Sequence, residues 1–148
     1  MNLQGKIKII KRNRIEDSRG WFLKVINGFE ENLPRFTGEI YLTMATPNQT
    51  KGCHFHNKAN EWFTLLEGNC LVKLCDLDTD ERLEVTLDAN NPETLYVPNN
   101  IAHCFINLND DSNFLLLAYT DQLYDPADTI IFNDFDKSNS NDRAASKK

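Results

Sequence analysis

The chain reads as an all-β domain, a sandwich or barrel, on three observations. Apolar runs of about five to eight residues recur at regular spacing. Clusters of Asn, Asp, Gly, Pro and Ser separate them, and helical periodicity is nearly absent. The 148 residues amount to one domain, large enough to bury a core without disulfides or a structural metal.

The elements follow in order. Residues 6–11 and 21–26 read as strands flanking the polar turn 16–20, and residues 29–34 as a short helical turn. Residues 39–45 form a β-rich run that ends at the turn 46–50. Residues 62–66 are strongly β-forming and close on Glu67, Gly68 and Asn69. Residues 70–77 and 83–87 alternate around the turn 78–81, as hairpin strands do. After the loop 88–92, residues 94–97 lead into the turn of Pro98, Asn99 and Asn100. Strands 104–108 and 113–119 bracket the polar run 109–112, and residues 124–128 make another turn. Residues 1–136 are thus read as a single domain. From residue 137 to 148 the chain is Ser, Asn, Asp, Lys, Arg and Ala with nothing to bury, a disordered tail.

Charge and composition exclude some functions. A formal net charge of -6 and a pI near 5.0 argue against nucleic acid or an anionic membrane as the main partner. No apolar run approaches the ~20 residues of a membrane span. The N-terminal residues lack a signal-peptide core, so a cytoplasmic protein is expected. The four cysteines form no Cys-x-x-Cys pair and are expected to be reduced. Cys53 and Cys104 each neighbour a histidine, and both read as small buried hydrophobes on the opposite strand face.

All three histidines of the chain sit at metal-ligand spacing. His54 and His56 share one strand face, because residues i and i+2 point the same way. Glu61 follows, beside the apolar run 62–66; if it points inward, it needs a partner, since a buried lone carboxylate is costly. His103 completes the set. Imidazole nitrogen and carboxylate oxygen suit a divalent metal, with zinc the leading choice and iron, manganese or nickel as alternatives.

The run Gly52-x-His54-x-His56, then Glu61 and Gly68, followed by Pro98, Asn100, His103 and Asn107, resembles the two signature motifs of the cupins. The resemblance implies a double-stranded β-helix of jelly-roll type, with His54, His56, Glu61 and His103 as metal ligands. A narrower resemblance spans most of residues 15–134. Asp17, Arg19, Gly20 and Phe22 are similar to the Asp-x-Arg-Gly-x-Phe signature of the dTDP-4-dehydrorhamnose 3,5-epimerase family. The run from Lys51 to His54 is similar to that family's Arg-Gly-Leu-His, and Ala102 to Phe105 to its Ala-His-Gly-Phe. Tyr124 and Pro126 resemble its Tyr-x-Pro segment. The resemblance implies that Arg19 and Lys51 hold a nucleotide diphosphate and that Phe22 packs on the base. It also implies that His103 lies in the substrate site, and that the protein is a homodimer.

The chain departs from the 3,5-epimerases at informative places. They carry Gln at the position of His56, and Ala118 stands where their acid tyrosine would be, with Tyr119 one residue along. The segment from Lys51 to Glu61 is closer to the zinc-binding C-terminal cupin of capsular polysaccharide-synthesising reductases. The His-x-His pair is shared with the sugar 3,4-ketoisomerases. All three branches act on 4-keto nucleotide sugars, carried on dTDP or UDP. The reading is therefore an epimerase or ketoisomerase on a nucleotide-linked 4-keto-6-deoxy sugar, feeding cell-surface polysaccharide synthesis. The alternatives are another metal-dependent cupin enzyme, a dioxygenase or sugar-phosphate isomerase, and a non-catalytic sugar-nucleotide-binding cupin. His54 serves as catalytic base if it carries no metal; otherwise Tyr119, Tyr124 and Lys51 are the candidates for acid and base.

Overall fold

Alternation along the strands, read against the pairing of the backbone, decides the architecture. The computed structural model describes residues 1–31, 33, 35, 36 and 38–136. The tail read at 137–148 and two residues of the helical turn read at 29–34 lie outside the described residues. A short helix α1 (Leu3–Lys6) opens the chain, followed by β1 (Lys8–Lys11), β2 (Arg14–Asp17) and β3 (Gly20–Leu23). Next come β4 (Glu39–Ala45), β5 (Thr50–Phe55), β6 (Glu61–Glu67) and β7 (Asn69–Asp76). Then follow β8 (Arg82–Asp88), β9 (Glu93–Val97), β10 (Ile101–Ile106) and β11 (Phe114–Thr120), with β12 (Ile130–Ile131) after a single 3₁₀ turn at Pro126–Asp128.

The strands build two five-stranded sheets, in the orders β1-β9-β6-β11-β4 and β12-β5-β10-β7-β8, and a separate hairpin β2-β3. Every pairing is antiparallel. The expected all-β double-stranded β-helix is what forms. Phe63 and Leu65 of β6, Leu95 and Val97 of β9 and Leu116 and Ala118 of β11 face inward from the first sheet. Val72 and Leu74 of β7 and Phe105 of β10 meet them from the second, each of these nine exposed by 2% or less. Phe63 and Phe105 join the sheets, their ring centroids 4.6 Å apart. Burying each such side chain contributes about 1.5–3 kcal/mol.

Local chemistry explains where the strands differ from expectation. β10 begins three residues earlier than read, because Asn100 takes a left-handed turn (φ 61°) and the chain re-enters extended geometry at once. β2 has polar Arg14, Glu16 and Asp17, so it shows no apolar alternation, yet it pairs with β3 in register. Helix α1 takes the first residue of the strand read at 6–11; Asn2 caps it by accepting from the Gly5 N–H at 3.0 Å.

The N-terminal helix is tied to the second sheet by charge. The Asp76 side chain, 1% exposed, accepts from Lys6 Nζ at 2.5 Å and from the Asp78 N–H at 2.9 Å. Burial raises the Asp76 pKa, but the Lys6 and Asp78 hydrogen bonds outweigh it and hold the carboxyl below its ordinary range. Its contribution to stability is thus present above that range and lost as pH falls through it. Asp76→Asn is expected to cost about 1.5–3 kcal/mol at neutral pH in a urea melt. The gap between wild type and variant should close as pH drops below about 4.

Candidate metal centre

One bulge aims the histidines. β10 pairs with β5 so that His103 faces His54, but Cys104 faces Gly52, which leaves Cys53 as the extra residue. Gly52 (φ 86°) and Cys53 (φ 64°) both take left-handed backbone. A Cβ on Gly52 would also meet the His103 carbonyl at 3.0 Å, so glycine serves both the turn and the close approach. The bulge sets the His54 and His103 rings edge to face at 4.9 Å. His56 lies one residue past the end of β5. Its carbonyl accepts from the Asn100 N–H at 2.7 Å, and the left-handed Asn100 takes the place expected of a glycine.

Glu61 begins β6, so it belongs to the other sheet. The site therefore bridges the two sheets at one mouth of the fold. Ligand atoms of His54, His56, Glu61 and His103 all lie within 4.8 Å of one another. Glu61 Oε1 is 2.8 Å from His56 Nε2 and 3.3 Å from His103 Nε2. Neither approach has hydrogen-bond geometry, and all three atoms are buried without a hydrogen-bond partner. His56 Nδ1 lies 2.7 Å from the Asp128 carbonyl and His103 Nδ1 3.1 Å from that of Ile101. A proton on Nδ1 donated to those carbonyls leaves each Nε2 free to ligate; burial lowers the His56 pKa, but the Glu61 carboxylate outweighs it and raises it. A buried ionised carboxylate beside three imidazoles calls for positive charge, and a divalent metal fits this donor set.

Burial alone would raise the Glu61 pKa, but the His103 and His56 imidazoles pull it well below the carboxylate range, so the group is ionised. Burial, with His103 and His56 beside it, lowers His54 to about 4, so its ring is neutral at neutral pH. Glu61 Oε2 is held separately, accepting from Tyr41 Oη at 3.1 Å. Burial and the Glu61 charge push the Tyr41 phenol far above its usual value.

The loop that delivers His56 and Glu61 is locked by two aspartates from beyond β11. The Asp128 carboxylate accepts from the N–H groups of Asn57 (2.8 Å), Lys58 (3.1 Å) and Ala59 (3.2 Å). Asp121 accepts from the backbone and side-chain nitrogens of Asn60, each at 2.9 Å. The centre opens into a cavity of about 300 Å³, walled by Tyr41, His54, His56 and Glu61 on one side and by Glu39 and Tyr124 on another.

The structure brings together some of the residues singled out from sequence. His54, His56, Glu61 and His103 converge, and Tyr124 reaches the cavity wall, its N–H donating to Glu39 Oε1 at 3.0 Å. Lys51 is exposed on β5 and does not line the cavity. Tyr119 faces the outer side of its sheet and packs on Trp62, with centroids 5.9 Å apart. Arg19 pairs with its neighbour Asp17 at 2.6 Å and is 88% exposed, on a hairpin with Trp21 and Phe22 away from the cavity. Tyr41 and Asp128 were not singled out. Tyr41 stands directly across from Ala118 in the β4–β11 register, so its phenol fills the space an alanine leaves. Only the long-range pairing reveals that.

Comparison with known proteins agrees with this fold. The chain is 26% identical over 125 residues to the spore coat polysaccharide biosynthesis protein SpsL of Bacillus subtilis, covering 81% of this chain and 82% of that one. Its fold is similar to a dTDP sugar isomerase from Desulfovibrio desulfuricans G20, with TM-score 0.80 and 19% identity over 90% of this chain and 89% of that one. It is also similar to the 3,4-ketoisomerase QdtA from Thermoanaerobacterium thermosaccharolyticum, with TM-score 0.71 and 21% identity, covering 88% and 90%. A family model for the polysaccharide biosynthesis C-terminal domain matches residues 15–131, and the chain belongs to that family.

Proposed function

We propose that the protein is an epimerase or ketoisomerase acting on a nucleotide-linked 4-keto-6-deoxy sugar, in the synthesis of a cell-surface polysaccharide. The observation that carries this is a buried set of converging donors at the wall of a sugar-sized cavity, in a chain of a polysaccharide-biosynthesis family. The known relatives named above supply the substrate class. A 4-ketone acidifies the neighbouring C–H bonds, so the enzyme must support negative charge at the ketone oxygen and move a proton.

A divalent metal held by His54, His56, Glu61 and His103 would polarise that ketone as a Lewis acid. The chain's own groups do the rest. Tyr41 keeps its proton, ties down Glu61 Oε2 and leaves Oε1 turned to the histidines. Tyr124 borders the same cavity, which supports giving it the proton exchange with the sugar. His54 is neutral and fills either the ligand or the base role. Tyr41→Phe should weaken zinc binding by about tenfold in a competition titration, as loss of an outer partner commonly does.

The cavity is of a size to take a hexose. Arg19, Trp21 and Phe22 form an exposed hairpin that joins neither large sheet. The proposed protein is a homodimer whose hairpin serves the nucleotide end of a substrate. Ile40, Leu42 and Met44 on the edge strand β4 are exposed by 62%, 59% and 49%, an apolar edge of the kind a partner covers. The four cysteines are free thiols, which suits the reducing cytoplasm where we place the reaction. No helix among the described residues is long and apolar enough to cross a membrane.

The test is incubation with dTDP- and UDP-4-keto-6-deoxy sugars in deuterated water, with and without chelator. Chelator-sensitive deuterium at C3, or at C3 and C5, supports the reading and separates its branches. No exchange from any of these sugars, in metal-loaded protein, contradicts it.

A further inference from the structure

We propose that Cys53 and Cys104 are a reversible oxidation site, a dithiol that hydrogen peroxide converts to a disulfide and that thereby repositions the paired histidines. The two sulfurs lie 3.0 Å apart, across adjacent strands β5 and β10. That is closer than two non-bonded sulfurs normally sit and about 1 Å from the bonded distance of about 2.05 Å. Sequence alone suggested two separate buried hydrophobes. The bulge instead carries Cys53 onto Cys104, on the sheet face opposite the cavity.

The two thiols differ in access, as an oxidation site requires. Both border an outer recess with Lys73, Phe132 and Phe135, but Cys104 is 3% exposed whereas Cys53 is half-buried. Cys70 and Cys75 lie buried on another strand, β7. Cys53 therefore meets peroxide first. Its sulfur takes one peroxide oxygen to become a sulfenic acid, the O–O bond breaks, and the other oxygen leaves as water. Cys104 Sγ then attacks Cys53 Sγ; the S–S bond forms, the S–O bond breaks, and the hydroxyl leaves with the Cys104 proton as a second water. Two thiols lose two electrons and one peroxide gains them, and a dithiol reductant reverses the change.

The consequence for the site follows from chain order. Cys53 immediately precedes His54, Cys104 immediately follows His103, and the two histidines face each other at the same bulge. Drawing the sulfurs together turns the left-handed backbone at Gly52 and Cys53 that aims His54. This does not depend on a bound metal or on the proposed substrate, so it stands or falls apart from that reading.

The experiment treats the full chain with hydrogen peroxide, maps peptides without reduction, and records the ring-proton NMR signals of the three histidines, assigned with single His→Asn variants. The expected result is a Cys53–Cys104 cross-link, loss of two of four titratable thiols, and recovery with dithiothreitol. The His54 and His103 signals shift on cross-linking. Cys104→Ser is expected to stop at a sulfenic acid on Cys53, trapped by dimedone. A cross-link through other cysteines, a dimedone adduct on wild-type Cys53 without a cross-link, or no reaction overturns the oxidation site. Unmoved histidine signals in cross-linked protein overturn its effect on the histidines. The wild-type peptide map decides even if a variant fails to fold.

Discussion

Glu61→Gln is expected to lower zinc affinity by about a hundredfold or more, and to lower the stability of the metal-free protein at neutral pH as well. Glu61 is the one anionic donor among the four converging residues, and it is 3% exposed. Its Oε1 has no hydrogen-bond partner and is a buried charge beside the His56 and His103 imidazoles. Removing that charge removes the attraction of the imidazoles, which outweighs its desolvation in the metal-free protein, and the strongest attraction in the loaded one. Loss of a ligand should exceed the 10–100-fold typical of losing an outer partner. Thermal unfolding with and without zinc separates the two terms. At a zinc concentration about 100 times Kd, wild type should gain about 2.7 kcal/mol and the variant almost nothing. A variant stabilised by zinc as much as wild type would mean that Glu61 is only a structural partner of the imidazoles.

Asp128→Ala carries the largest expected cost to stability and weakens the site as well. One carboxylate there satisfies the N–H groups of Asn57, Lys58 and Ala59, and the same residue's carbonyl orients His56. Deleting it leaves three backbone donors of the His56–Glu61 connection without their acceptor, for a loss of about 3 kcal/mol in a urea melt. Zinc affinity should fall by about 10–100-fold, because the loop between His56 and Glu61 loosens although the carbonyl at position 128 remains. Asp128→Asn retains an acceptor oxygen and should fall between. A zinc affinity unchanged in Asp128→Ala would show that the loop holds its shape without the lock.

What the sequence made legible was what local pattern encodes. Alternation and turn residues placed most strands, and the spacing of His54, His56, Glu61 and His103 placed the centre, because each motif is carried by one or two strands. Asn100 could be read as a stand-in for glycine because its left-handed tolerance is a property of the residue itself. What stayed hidden was set by pairing between distant strands. Tyr41 enters the site because it lies across from Ala118, and Asp128 because the segment after β11 folds back on residues 57–59. The contact of Cys53 with Cys104 needs the bulge, which no single strand announces. The short polar strand β2 was invisible for a simpler reason: its partner is β3 alone, so it has no buried face to alternate against.

The most direct test of the metal centre is anomalous diffraction from crystals of the zinc-loaded protein, measured on both sides of the zinc edge. The account predicts one strong peak between the two sheets, within about 2.0–2.2 Å of His56 Nε2, His103 Nε2 and Glu61 Oε1, with His54 as the fourth protein donor. Zinc bound only elsewhere on the surface, with a His56–Glu61 hydrogen bond closed in its place, would contradict it.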